Sequence, residues 1–317
     1  MSRAADLAFV KRAAELWEQD DPEIGYHPRL FCQLVLPYKD PGDAEIWGRR
    51  NGDRSLTIEP GRKLDRDGRP YCFGYPYGTI PRLLLTWLAT EAVRTQRPEL
   101  LLGETLSQFM DQLGLAPTGG SRGNITRLRE QMNRLFKARV SVEYDGDSNV
   151  DVGVQLNIAT ARSLWWSDDA KEADQRSLMP STVVLSDTFF REVVEHPVPV
   201  SADALRALRG SPFRLDQYAW LTHRMSYLRR KTTVSWEQLR FQFGSQCADN
   251  RFGRAKFKDM FTRHLAHVLL VYPDANIEVT AAGVALRPSK THVPLKGLQR
   301  LTLDGGLSDI HSDDGCD

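Results

Sequence analysis

Apolar residues recur at helical spacing in a few clear runs. Residues 5–19 carry a short amphipathic pattern, whereas residues 20–75 read as irregular or extended. Within that stretch the alternation over Phe31–Leu36 predicts a strand. Ser55–Ile58 predicts a partner for it across a loop rich in Gly, Asp and Arg. From Thr79 the pattern sharpens: Thr79 is placed to cap a helix whose first turn tolerates Pro81, and LLLTWLATEAV supplies a strongly apolar face. Leu100–Leu102 reads as a short extended piece and Glu104–Leu113 as a brief helix stopped by Gly114. The glycine-rich APTGGSRG leads to Asn124, a favourable N-cap for NITRLREQMNRLFK. Arg139–Tyr144 and Val150–Ile158 then read as strands joined by a DGDSN hairpin turn.

The second half repeats this order. A helix over Leu215–Leu228 precedes an extended run at Thr232–Val234 and a short helix at Ser235–Phe243. A Gly-containing loop, a basic helix over Arg254–Val271 and a strand pair across Asn276–Arg287 follow. The register supports a repeat, since Trp87 to Phe109 is 22 residues, Trp220 to Phe241 is 21, and both short helices stop at Gly. Helix, strand, helix, basic helix and β-wing is the order of the winged helix-turn-helix. The expected fold class is therefore α+β: two tandem winged-helix domains, mainly helical with small β-hairpin wings. The expected boundaries are 1–27 for an N-terminal helical segment and 28–160 for the first unit with a β extension. A polar linker at 161–180, a second unit at 181–290 and an acidic, disordered tail at 291–317 complete the division.

A length of 317 residues suits about two domains, and 41% apolar residues suffice for a sizeable core. The longest run free of acidic and basic residues is Pro70–Pro81, far short of the ~20 apolar residues of a membrane span. The four cysteines lie far apart with no CxxC pair, so a soluble protein in a reducing cytoplasm is expected. The net charge of +1 hides segregation. Residues 122–139 carry six basic residues against Glu130, and residues 251–263 carry five against Asp259. Asp304–Asp317 carries five Asp and no Lys or Arg.

These patches coincide with the two basic helices. In the first, Ile125, Leu128, Met132, Leu135 and Phe136 fall on one stripe and should pack inward. Thr126, Arg127, Asn133, Arg134 and Lys137 then face outward, where Arg and Asn can read base edges. Ser121, Arg122 and Asn124 sit at the helix N-terminus, which favours a phosphate. In the second, Phe257, Met260, Phe261 and Val268 form the inner stripe; Lys256, Thr262 and Arg263 lie outside, with Arg251, Arg254 and Lys258 flanking. A bland alternative is a pair of solvated amphipathic helices. His264 and His267 lack further ligands at metal spacing, so packed histidines are expected and no metal. No phosphate loop, GxSxG, HExxH or DxDxDG occurs, and neither catalytic residues nor a cofactor are expected.

PYGTIPRLLLTWLATEAVRT at Pro76–Thr95 and LGETLSQFMDQLGLAPTGGSRGNITRLREQMNRLF at Leu102–Phe136 resemble the plasmid-encoded RepA family of replication initiators. VVLSDTFF at Val183–Phe190, SPFRLDQYAWL at Ser211–Leu221 and FKDMF at Phe257–Phe261 extend the resemblance to roughly residues 28–290. It implies tandem winged-helix proteins without ATPase or nuclease activity. These bind directly repeated origin sites (iterons) in double-stranded DNA, help open adjacent AT-rich DNA and recruit the host initiator and replicative helicase. It also implies a monomer–homodimer equilibrium, with dimers repressing the chain's own promoter. The competing readings are a dimeric winged-helix transcriptional repressor without an initiation role, and a module whose basic helices bind acidic protein surfaces.

Overall fold

The computed structural model describes residues 9–11, 13–16, 23–145, 152–164, 181–244 and 247–293. Residues 9–11 and 13–16 are helical, and Phe9 and Ala13 are buried. The chain continues through β1 (Ile24–Pro28), α1 (Arg29–Gln33), β2 (Trp47–Asn51), β3 (Arg54–Glu59), β4 (Arg62–Leu64) and β5 (Pro70–Cys72). Next come α2 (Thr79–Thr95), β6 (Glu99–Leu101), α3 (Leu106–Gln112), α4 (Asn124–Lys137), β7 (Arg139–Tyr144) and β8 (Val152–Leu156). β9 (Ala159–Ser163), β10 (Thr182–Leu185), α5 (Asp187–Glu195), β11 (Pro197–Ser201) and α6 (Ala202–Leu208) follow. The chain closes with α7 (Pro212–Tyr227), β12 (Thr232–Ser235), α8 (Trp236–Phe243), α9 (Arg251–Val271), β13 (Ile277–Val279) and β14 (Gly283–Leu286).

Both halves contain a long helix, a short strand, a short helix and a basic helix in that order, α2-β6-α3-α4 and α7-β12-α8-α9. In the second half the strand order is β12-β14-β13, so the strand between the helices lies beside the last one. The first half builds the same three-stranded arrangement, β6-β10-β9, from unexpected pieces. β7 and β8 pair antiparallel as expected of a hairpin, but they join β2 and β3 in a separate four-stranded sheet, β2-β3-β7-β8. The stretch read as a linker therefore begins inside β9, and β10, assigned to the second unit, pairs with β6 of the first. The rest of that stretch, 165–180, lies outside the described residues.

Other expectations are corrected locally. Phe31–Leu36 is not a strand: residues 29–33 form α1, and Phe31, Cys32, Leu34, Val35 and Leu36 are all buried, leaving no polar face to alternate with. Gly78 and Gly123, rather than Thr79 and Asn124, occupy the N-cap positions of α2 and α4. Thr105 caps α3, and Ser235 with Gln238 closes a full capping box on α8. The aromatic register also shifts. Trp87 meets Phe109 edge-on at 5.0 Å, but Trp220 meets Phe243 at 5.8 Å, while Phe241 points to solvent. The segment read as tail starts with a docked piece, because Val293 is buried and His292 stacks on Tyr272 at 4.7 Å. Residues 294–317 are outside the described residues.

The two halves share one hydrophobic core that runs from Tyr26 and Leu84 through Val183 and Val200 to Phe261 and Leu286. β1 pairs with β11 across the halves, Ile24 opposite Ser201 to Pro28 opposite Pro197. At the centre Arg82 of α2 makes a bidentate pair with Asp216 of α7, Nε to Oδ1 at 2.6 Å and Nη2 to Oδ2 at 2.7 Å. Arg82 also donates to the carbonyls of Leu36, Pro37 and Gly78, and its guanidinium lies 5.0 Å from the Tyr38 ring. Both partners are almost fully buried.

Candidate nucleic-acid interface

α4 presents its faces as its sequence dictates. Ile125, Leu128, Met132, Leu135 and Phe136 are all buried. Ser121, Arg122 and Arg127 are exposed; Asn124, Thr126, Asn133, Arg134 and Lys137 are half-buried. Three polar groups of the turn are spent on the loop before the helix. Asn124 donates its amide N–H to Thr118 Oγ1 at 2.9 Å and its side-chain amide to the Ala116 carbonyl at 3.0 Å. Thr126 Oγ1 donates to the Gly120 carbonyl at 2.9 Å.

Arg134 is committed as well. Its Nη1 donates to Asp40 Oδ2 at 2.7 Å and to the Tyr75 carbonyl at 3.3 Å, and its guanidinium stands 5.1 Å from the Tyr77 ring. Lys137 lies at the end of α4 with its ammonium 3.7 Å from the centroid of Phe73. Among the nominated cations of this half, Arg122 and Arg127 alone project without an ion pair or ring contact among the described residues.

α9 starts one turn earlier than its pattern suggests, at Arg251, because Asn250 Oδ1 accepts the Gly253 amide at 2.8 Å. Phe257, Phe261 and Val268 are buried and Met260 is half-buried. Arg251, Arg254, Lys256, Lys258 and Arg263 are exposed, and Thr262 is half-buried. Arg254 and Arg240 share Asp249, at 3.0 and 3.1 Å, and Arg263 pairs with Asp259 at 2.7 Å. The hydrogen bond from Arg254 and the nearby Arg240 hold the Asp249 carboxyl below its usual pKa. Lys258 lies 5.1 Å from the Trp236 ring, which leaves Arg251 and Lys256 as the cations of this face without an ion pair or ring contact among the described residues. Phe252, which charge and periodicity did not single out, is 84% exposed between them.

His264 is a packed histidine, half-buried, its Nδ1 accepting from Arg214 Nε at 3.2 Å and its ring 5.2 Å from Phe213. His267 Nδ1 lies 2.9 Å from the Arg263 carbonyl. No cluster of three or more His, Cys, Asp or Glu side chains suited to a metal occurs among the described residues. No helix among them is long and apolar enough to cross a membrane.

The two basic helices share a device that sequence reading missed. A Cβ on Gly123 would overlap the Thr118 carbonyl, and one on Gly253 would overlap the Ala248 carbonyl, each five residues upstream. Each helix therefore starts with its backbone pressed onto the preceding loop, where only glycine fits. We expect Gly253→Ala to push the first turn of α9 outward and to destabilise the fold by about 1–3 kcal/mol. Chemical denaturation checks this, and an unchanged midpoint would show that the loop yields freely.

Fold and face together define a mixed helix-and-strand protein that displays one basic helix from each half. The profile described as plasmid-encoded RepA protein matches residues 75–238, which takes in α4 and ends before α9. The chain belongs to the plasmid-encoded RepA family of replication initiators. A crystal structure of domains 2 and 3 of RctB is similar in fold, with TM-score 0.50 and 10% identity over 83% of this chain and 98% of that one. A second structure of RctB domains 2–3 gives TM-score 0.47 and 12% identity over 81% and 94%. No curated protein sequence matches the chain.

Proposed function

We propose that the chain initiates plasmid replication by binding directly repeated origin sites as a tandem winged-helix protein. α4 and α9 enter successive major grooves of double-stranded DNA, and the bound protein recruits the host initiator and helicase without enzymatic activity of its own. One observation carries this reading: the same order of elements occurs twice and ends each time in a basic helix seated on a glycine. The orders β12-β14-β13 and β6-β10-β9, each with the strand between the helices beside the last strand, support the winged-helix reading. Arg122, Arg127, Arg251 and Lys256 carry the contacts to DNA; Arg134, Asn124 and Thr126 shape the face that presents them.

Selection of bound duplexes from a random pool at ~150 mM salt tests the proposal. An asymmetric site of about 20 bp, bound by one chain, is expected for two reading helices one DNA turn apart. Six to ten phosphate contacts would make affinity fall about 10³- to 10⁵-fold between 50 and 200 mM salt. An inverted repeat taken up by a symmetric dimer would favour a repressor, and no enrichment would remove both. Arg127→Gln and Lys256→Gln should each cost about 1–3 kcal/mol of binding at the selected site. Arg134→Gln should instead lower stability without changing the preferred sequence.

A further inference from the structure

The β4–β5 hairpin projects beside the last turn of α4. All six of its strand residues are exposed, with Lys63 opposite Tyr71. Its turn is built firmly: Asp65 Oδ1 accepts the amides of Asp67 at 2.9 Å and Arg69 at 2.8 Å, and Gly68 takes the left-handed conformation at φ +76°. At its root Phe73 donates its amide to the Gly61 carbonyl at 2.9 Å. Gly61 lies so close to Lys137 that a Cβ would overlap that residue's carbonyl. Between Gly61 and Phe73 the hairpin carries Arg62, Lys63, Arg66 and Arg69 against Asp65 and Asp67.

Cations from two elements converge here. Lys137 of α4 lies 3.7 Å and Lys63 of β4 5.5 Å from the centroid of one ring, Phe73, and Lys63 is also 5.4 Å from Tyr71. Burial first, then the positive charges of Arg162 and Lys63, hold the Lys137 ammonium below its usual pKa. Neither Lys63 nor Lys137 makes an ion pair among the described residues. Rings can face ammonium groups, but they leave most of the N–H donors unused. Like charges held together without a counter-ion disfavour one another, and an anion placed among them removes that repulsion.

We infer that Lys63 and Lys137 form a seat for a DNA backbone phosphate, with the β4–β5 hairpin as an arm that follows the strand beyond the C-terminal end of α4. This rests on the reading of α4 as a groove-binding helix, and it adds a contact that carries no sequence preference.

The test uses the full chain, as wild type and as Lys63→Gln, Lys137→Gln and the double variant, on the selected duplex. Thermal melting checks that each variant is folded. Each lost contact should reduce the slope of log affinity against log salt by about 0.9, so the double variant should lose nearly 2. Its weakening should be the same for every variant of the site. A duplex with one neutral methylphosphonate at the edge nearest α4 should bind wild type about tenfold more weakly and leave the double variant indifferent. An unchanged salt slope in the double variant overturns the inference. Competition by inorganic phosphate at constant ionic strength, without sensitivity to any methylphosphonate, also overturns it and assigns the seat to a free anion. A wild type that selects no sequence, while the double variant still loses slope on random duplex, sinks the proposed function and keeps this site.

Discussion

Lowering the pH from 7.5 to 5 is expected to destabilise the protein by several kcal/mol, a large share of the ~5–15 kcal/mol typical of a folded domain. Four histidines are held neutral inside it. Burial and then the neighbouring Arg82 push His27 down to about 3, and its Nδ1 lies 2.8 Å from Thr86 Oγ1. Burial first, then Arg29, Arg224 and Arg54, takes His223 to about 4. Burial and Arg214 do the same to His264, and burial to His292, whose Nδ1 lies 2.7 Å from the Tyr218 hydroxyl. An unfolded histidine gains its proton near pH 6.5, well above these values. Stability is therefore complete above pH 6.5 and is lost as pH falls from there toward 4.

By pH 5 each fully buried histidine should have cost about 2 kcal/mol, and the half-buried His264 and His292 less. Urea midpoints at pH 7.5, 6 and 5 measure this. His264→Gln keeps an acceptor for Arg214 and should shallow the acid limb by about one proton. Equal stability at pH 7.5 and 5 would mean that these side chains are protonated in the folded state.

The second large effect lies at the contact between the halves. Arg82→Met should destabilise the fold by about 3–5 kcal/mol, because it leaves Asp216 buried without its partner. It also strips the carbonyls of Leu36, Pro37 and Gly78 of a donor. Arg82→Met with Asp216→Leu removes the stranded charge and should recover part of the loss, but not the share owed to those carbonyls. Guanidinium denaturation of the two variants separates the terms. A loss under about 1 kcal/mol for the single variant would mean that water reaches Asp216.

How much of this was legible in the sequence depends on how local each cause is. The inward stripe of α4 could be read because Ile125, Leu128, Met132, Leu135 and Phe136 repeat at helical spacing, and all five are buried. α1 could not, since Phe31–Leu36 is buried on nearly every side and burial without a polar face has no period. β10 carries apolar residues that either half could use; its pairing with β6, across some 80 residues of chain, is set by the sheet and not by proximity in sequence. The outward face of α4 was only half legible. Periodicity places Arg134 outside, but its partner Asp40 is 94 positions away, so a side chain that reads as a free contact is tied down. In the second half the order of elements is legible, but the aromatic partner of Trp220 lies two residues beyond Phe241, at Phe243. Phe241 and Phe243 are equally apolar, and packing against Trp220 decides between them.

If α4 and α9 read DNA as proposed, the β1–β11 pairing and the common core make the protein a caliper. The gap between the two helices is set when the chain folds, so a span of duplex would be measured before any base is inspected. Inserting about five base pairs, half a DNA turn, between the halves of a site would turn the second groove to the far side of the helix. One chain could then grip only one half.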